Sequence, residues 1–163
     1  LDNAIDYFLF INALRAPDNL GKNLYVARYD HKSPYFYVPW DLDGSFGTIF
    51  NGKRIPTTDD FLTNGLLRRL ITLNPQEFVS RFQARWTELR QSVLSEASLL
   101  QKQQSTYTYL LSHKIYQREQ KAWPELVYQK EGLEYMQQWT RNRLTFLDRY
   151  ITQLTSQQPK AKE

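Results

Sequence analysis

Two short runs rich in Tyr, Val and Phe, Leu24–Tyr29 and Tyr35–Trp40, carry the strand signal of this 163-residue chain. Between them, Asp30-His31-Lys32-Ser33-Pro34 is a stretch of turn formers, so the pair reads as a β-hairpin. Pro39 has no N–H to donate, which argues against a central strand for the second run. From Asp60 onward, apolar residues recur at spacings of three and four, and no further strand pattern follows. One hairpin gives no scaffold for a parallel α/β sheet, so the core must come from helices. The expected fold class is mainly α with a small β-hairpin (α+β): a helix, the hairpin with a loop at each end, then a helical bundle.

The helical spacing predicts a first helix over residues 4–15, with Ile5, Phe8, Leu9, Ile11 and Leu14 on one face. Pro17 ends it, and a loop, Arg15–Lys22, leads to the hairpin. Residues 41–60 hold Gly44, Gly47, Gly52 and Pro56 without a period and read as a long loop, of the kind that tends to carry function. Leu62, Leu66, Leu67, Leu70 and Ile71 mark the next helix. Asn74-Pro75-Gln76-Glu77 reads as the start of another, with Asn74 capping and Glu77 reaching back. That helix carries Phe78, Phe82, Trp86, Leu89 and Val93. A third is expected from about Glu96 to Lys121, closed by Pro124. The last runs from about Gly132 to Leu154, before a polar tail, Thr155–Glu163, expected to be frayed. Residues 1–154 are thus expected to form one folded unit, with 155–163 as its tail.

Composition removes several function classes. The chain has no Cys, which excludes disulfides, thiolate nucleophiles and Cys-ligated zinc. His31 and His113 are its two histidines, too few for a multi-His metal centre. The longest apolar run, Tyr7–Ile11, falls far short of a membrane span. Residues 1–60 hold six Lys/Arg against eight Asp, so the net charge of +4 comes from the later helices. No basic cluster is dense enough to argue for nucleic acid.

The early acidic residues fall at telling places. Asp18 and Asn23 precede the first strand, and Asp41 and Asp43 follow the second. A hairpin brings those two ends together. Three carboxylates and an amide oxygen meeting there repel one another without a cation, and hard oxygens suit Mg²⁺ or Mn²⁺. Asp18 and Asn23 form D-x-x-x-x-N, followed by a hairpin, Asp41 and a Gly-bearing loop. Protein kinases order their catalytic loop and metal loop this way. The local sequences differ: Ala16-Pro17 precedes Asp18, the second loop reads Asp41-Leu42-Asp43-Gly44-Ser45-Phe46-Gly47, and no APE-like segment appears.

The segment Asp18-Asn19-Leu20-Gly21-Lys22-Asn23-Leu24-Tyr25, with Val38-Pro39-Trp40-Asp41-Leu42-Asp43-Gly44-Ser45-Phe46-Gly47, resembles the CotH (spore coat protein H) family of atypical protein kinases. The resemblance continues in Leu66-Leu67-Arg68-Arg69-Leu70 and Arg143-Leu144-Thr145-Phe146-Leu147-Asp148 and covers nearly all of residues 3–152. It implies a kinase-like C-terminal lobe and ATP-dependent phosphorylation of hydroxyls on secreted or surface proteins. Asp18 is then the catalytic Asp, Asn23 and Asp41 hold the metal on the nucleotide, and Asp43 is a further acidic group at the metal. The implied cofactors are ATP and Mg²⁺ or Mn²⁺. The implied partners are a protein substrate and an N-terminal lobe of the same polypeptide. Export to the cell surface is the implied location. No Gly-rich hairpin or phosphate-pairing Lys precedes Asp18, so the chain is expected to be a C-terminal portion with little or no kinase activity by itself.

Two other classes remain open on the residues alone. An Asp-x-Asp pair after an apolar strand also occurs in haloacid-dehalogenase-type phosphatases, where the first Asp is a nucleophile, and in metal-dependent glycosyltransferases. Both need an α/β sheet. A non-catalytic helical binding module with a structural Ca²⁺ in the same acidic cluster is the other.

Overall fold

A computed structural model of the protein describes residues 1–125 and 130–156. Helix α1 (Asp2–Leu14) ends at Arg15, whose backbone is left-handed (φ 51°). A 3-10 turn, Pro17–Leu20, leads into the antiparallel hairpin of β1 (Leu24–Ala27) and β2 (Phe36–Pro39). Helices α2 (Gly65–Leu73), α3 (Phe78–Arg90), α4 (Glu96–Ser112), α5 (Ile115–Ala122) and α6 (Lys130–Ser156) follow. The fold is mainly α with a small hairpin, as the spacing requires.

Helix α1 is the centre of the core. Its Phe8, Leu9 and Ile11 are fully buried, along with Leu67 from α2 and Leu147 from α6. Phe78 and Phe82 of α3 close one side, their rings 5.6 Å apart. On the other side the hairpin lies against α1, where Tyr37 stacks on Tyr7 at 4.9 Å. Asn3 completes this contact: its Oδ1 accepts the Tyr37 N–H at 2.6 Å and its Nδ2 donates to the Tyr37 carbonyl at 3.3 Å. The opposite face of the hairpin leaves Tyr25, Val38 and Trp40 exposed.

Arg143 of α6 is the largest fully buried side chain. Its Nε donates to the Asn12 carbonyl at 2.8 Å and its Nη1 to the Thr58 carbonyl at 2.8 Å and to Asp60 Oδ1 at 3.1 Å. Burial pulls this guanidinium down to about 10, with Asp60 opposing the shift. The residue therefore ties the last helix to the first and to the end of the 41–60 loop.

Several boundaries differ from the sequence expectation. The strands are shorter, and Val93 lies beyond α3 and is exposed. The helix expected over Glu96–Lys121 is broken at Lys114, which is left-handed (φ 54°). Asn74 serves both sides of its turn: its own left-handed backbone ends α2, and its Oδ1 accepts the Val79 N–H of α3 at 2.9 Å. Glu77 is itself left-handed (φ 57°), so the expected capping box gives way to a tighter turn. Thr155 and Ser156 belong to α6, while the rest of the expected tail, residues 157–163, lies outside the described residues.

Candidate functional site

The hairpin register builds the site. Leu24 pairs with Pro39, and the ladder extends one step further, the Trp40 N–H donating to the Asn23 carbonyl at 3.0 Å. Asn23 and Trp40 therefore face each other, and Asp41 comes next. The Asn23 Nδ2 reaches the Asp41 carbonyl at 3.4 Å. Asp41 has a left-handed backbone (φ 52°), so the chain turns sharply as it leaves the strand.

A buried asparagine fastens this corner to the 3-10 turn. Asn19 is 1% exposed, and its Nδ2 donates both to the Asn23 carbonyl and to the Trp40 carbonyl, the latter at 2.8 Å. The Tyr7 hydroxyl in turn donates to the Asn19 carbonyl at 2.5 Å. Burial, with Tyr37 adjacent, pushes the Tyr7 phenol up to about 12. Asp18 precedes Asn19, and its carbonyl accepts the N–H groups of Lys22 and Asn23, both at 3.0 Å. The loop from Asp18 to Asn23 is thus closed on itself and pinned to the end of β2.

Asp18, Asn23, Asp41 and Asp43 all line one cleft of about 450 Å³. Arg15 and Lys22 line it too. Lys22 Nζ lies 3.1 Å from Asp18 Oδ2, while Arg15 is held by Asp60 with Nη2 2.8 Å from Oδ2. The Asp41 and Asp43 carboxylates are exposed and make no ion pair among the described residues. Among those residues no group of three or more His, Cys, Asp and Glu is placed to hold a metal ion. A cation here would have to draw on the Asn23 amide oxygen as well as on carboxylates. Hard oxygens from two carboxylates and one amide suit Mg²⁺ or Mn²⁺, which keep much of their water, better than a many-liganded Ca²⁺ cage.

The loop after Asp43 is clamped to α6. Gly47 has φ 77°, and its carbonyl accepts the Ile55 N–H at 2.6 Å and the Tyr135 hydroxyl at 2.8 Å. Trp139 Nε1 donates to the Thr57 carbonyl at 3.0 Å. A Cβ on residue 47 would stand 2.5 Å from Trp139 Cδ1, so only glycine fits. At the near end, the Phe46 N–H bonds the Leu14 carbonyl at 2.9 Å.

Sequence spacing alone does not mark Asn19, Arg15 or Lys22 as site residues. The Lys22 signal was present, four residues after Asp18. Nothing about Asn19 distinguishes a buried staple from an ordinary turn residue.

The molecule is thus a mainly helical protein whose hairpin presents an acidic, cation-compatible cleft at its base. The family model described as CotH kinase protein matches residues 1–147, and the chain belongs to the CotH kinase family. That membership makes it a kinase-like protein. Comparisons with curated proteins and with solved structures returned no match. No helix among the described residues is long and apolar enough to cross a membrane.

Proposed function

We propose that this chain supplies the hydroxyl-activating and metal-binding half of an ATP-dependent protein kinase. The observation that carries the reading is the corner at Asn23 and Asp41. The hairpin register and Asn19 hold these two residues side by side, with Asp18 lining the same cleft. In this reading the Asp18 carboxylate orients the substrate hydroxyl and takes its proton as the oxygen attacks the γ-phosphorus and ADP leaves. Lys22 and Arg15 are the cations that a phosphate in the cleft meets. Asn23, Asp41 and Asp43 would hold a divalent ion, which would supply charge neutralisation at the phosphate oxygens.

A second lobe completes the site in this reading. The exposed Tyr25, Val38 and Trp40 form an apolar face on the hairpin beside the cleft, suited to contact with such a lobe or with the nucleotide. The chain alone then transfers little phosphate. The phosphatase and glycosyltransferase alternatives lack support, since the described residues contain one two-stranded antiparallel sheet and no parallel one.

Nuclear magnetic resonance with paramagnetic Mn²⁺ tests the reading. The amides of Asn23, Asp41 and Asp43 are expected to broaden first, and at lower Mn²⁺ once ATP is present. Asp41→Asn should abolish that selectivity, while Asp18→Asn should keep it. Broadening spread evenly over surface carboxylates, or indifferent to ATP, would overturn the proposal.

A further inference from the structure

Asp60 serves two guanidiniums at once. Arg15 donates to it from Nε to Oδ1 at 2.9 Å and from Nη2 to Oδ2 at 2.8 Å. Arg143 donates to the same Oδ1 from Nη1 at 3.1 Å. One carboxylate thus faces two positive charges, and the other acid that acts on Arg143, Asp59, is exposed to solvent. Arg143 has no outlet for its charge, because it is fully buried with its remaining contacts on backbone carbonyls and on Asn12 Oδ1. Arg15 has one, since it lines the acidic cleft. The excess positive charge of the trio therefore reaches the cleft through Arg15.

The free donors of Arg15 also have a fixed direction. Its side chain is 17% exposed, against 75% for Lys22. Its backbone closes α1 in the left-handed conformation, with its N–H on the Asn12 carbonyl at 3.1 Å. The two-point contact with Asp60 uses the Nε edge of the guanidinium plane. The Nη1–Nη2 edge has no partner among the described residues. That edge presents two parallel N–H groups, whose spacing matches two oxygens of one phosphate. An arginine already held in place loses little further freedom when it binds.

We infer that Arg15 seats a phosphate monoester dianion in the cleft and that Asp60 is its positioning residue, anchored from α6 by Arg143. The inference rests on the phosphotransfer reading of the cleft and extends it to the last helix. Two sources share this chemistry, the terminal phosphate of a nucleotide and a phosphorylated side chain, and the test separates them.

The probes are ATP and N-acetyl-phosphoserine amide, each titrated without metal into the whole chain while the arginine Nε–H signals are followed by magnetic resonance. The Arg15 signal, assigned by its loss in Arg15→Gln, should shift with at least one probe, and the tighter probe identifies the source. Arg15→Gln leaves the Asp60–Arg143 pair in place and should weaken binding roughly 10-fold. Arg15→Lys keeps the charge without the fork and should recover little of that loss. Asp60→Asn gives opposite signs for two roles. A carboxylate that merely repels the anion would strengthen binding when removed, whereas a positioning residue weakens it, here roughly 3-fold or more, with the Arg15 Nε–H signal broadened. If Asp60→Asn does not fold, the Arg15→Lys comparison decides alone. No Arg15 shift with either probe, parent-like binding by Arg15→Lys, or tighter binding by Asp60→Asn would each overturn the inference. Mn²⁺ broadening at Asn23 and Asp41 is read on the same samples. If it persists while the Arg15 effects are absent, this inference alone falls; if it is absent while they persist, the metal-binding reading falls instead.

Discussion

Asn19 shows how much a single amide can hold. Its Nδ2 serves two backbone carbonyls that belong to different segments, alongside the longer Asn23 Nδ2 contact to the Asp41 carbonyl across the same corner. Asn19→Ala should cost about 1–3 kcal/mol, the penalty for leaving buried polar groups unmet, read from urea denaturation. It should also weaken Mn²⁺ binding although Asn19 is not a ligand, because Asn23 and Asp41 lose their common anchor. Tyr7 acts one bond behind it, and its raised ionisation gives a pH signature. The folded state keeps the phenol proton up to about 12, whereas an unfolded tyrosine releases it near 10. The associated stability is therefore complete below about pH 10 and is lost as pH climbs toward 12. Melting points measured from pH 8 to 12 should fall less steeply above pH 10 in Tyr7→Phe than in the parent. Some slope should remain, since burial also raises Tyr135 and Tyr150.

At the scale of elements, the loop over residues 44–57 behaves as part of α6 rather than as a free segment. Gly47 sits against the Trp139 indole with φ 77°, so Gly47→Ala combines a steric clash with a backbone that L-residues disfavour. A loss of about 1–3 kcal/mol is expected, with a change in Trp fluorescence as the indole is displaced. The hairpin and the helix order were legible in the sequence because both rest on strong local patterns, a turn cluster between aromatic runs and apolar spacing at three and four. The convergence of Asp18, Asn23, Asp41 and Asp43 was legible for the same reason, since it follows from hairpin connectivity. The break between α4 and α5 was not. His113 and Lys114 carry no helix-ending mark, and a left-handed lysine costs about 1–2 kcal/mol locally. Tertiary contact decides it: the chain folds back so that Tyr116 meets Tyr107 at 5.7 Å. Asn19 escaped for a similar reason, as its bonds reach 21 residues away to Trp40.

At the scale of the molecule, Arg143 joins the two ends of the chain. Arg143→Met keeps much of the apolar stem but removes the donor to the Thr58 and Asp60 carbonyls, while Arg15 still holds the Asp60 carboxylate and, through its backbone N–H, still meets the Asn12 carbonyl. A loss of about 1–3 kcal/mol is expected for the unmet acceptors, measured by chemical denaturation. Arg143→Lys should recover little, because an ammonium cannot reproduce the planar fork of donors. The two margins of the hairpin also differ. The Asn3 amide occupies the outer side of β2 as a further strand would, whereas β1 has no neighbouring strand beyond it among the described residues. Ribbon-to-ribbon association can then proceed through β1 alone. Two copies meeting there leave only blunted margins outward, so such stacking terminates at a pair and cannot propagate into a fibre.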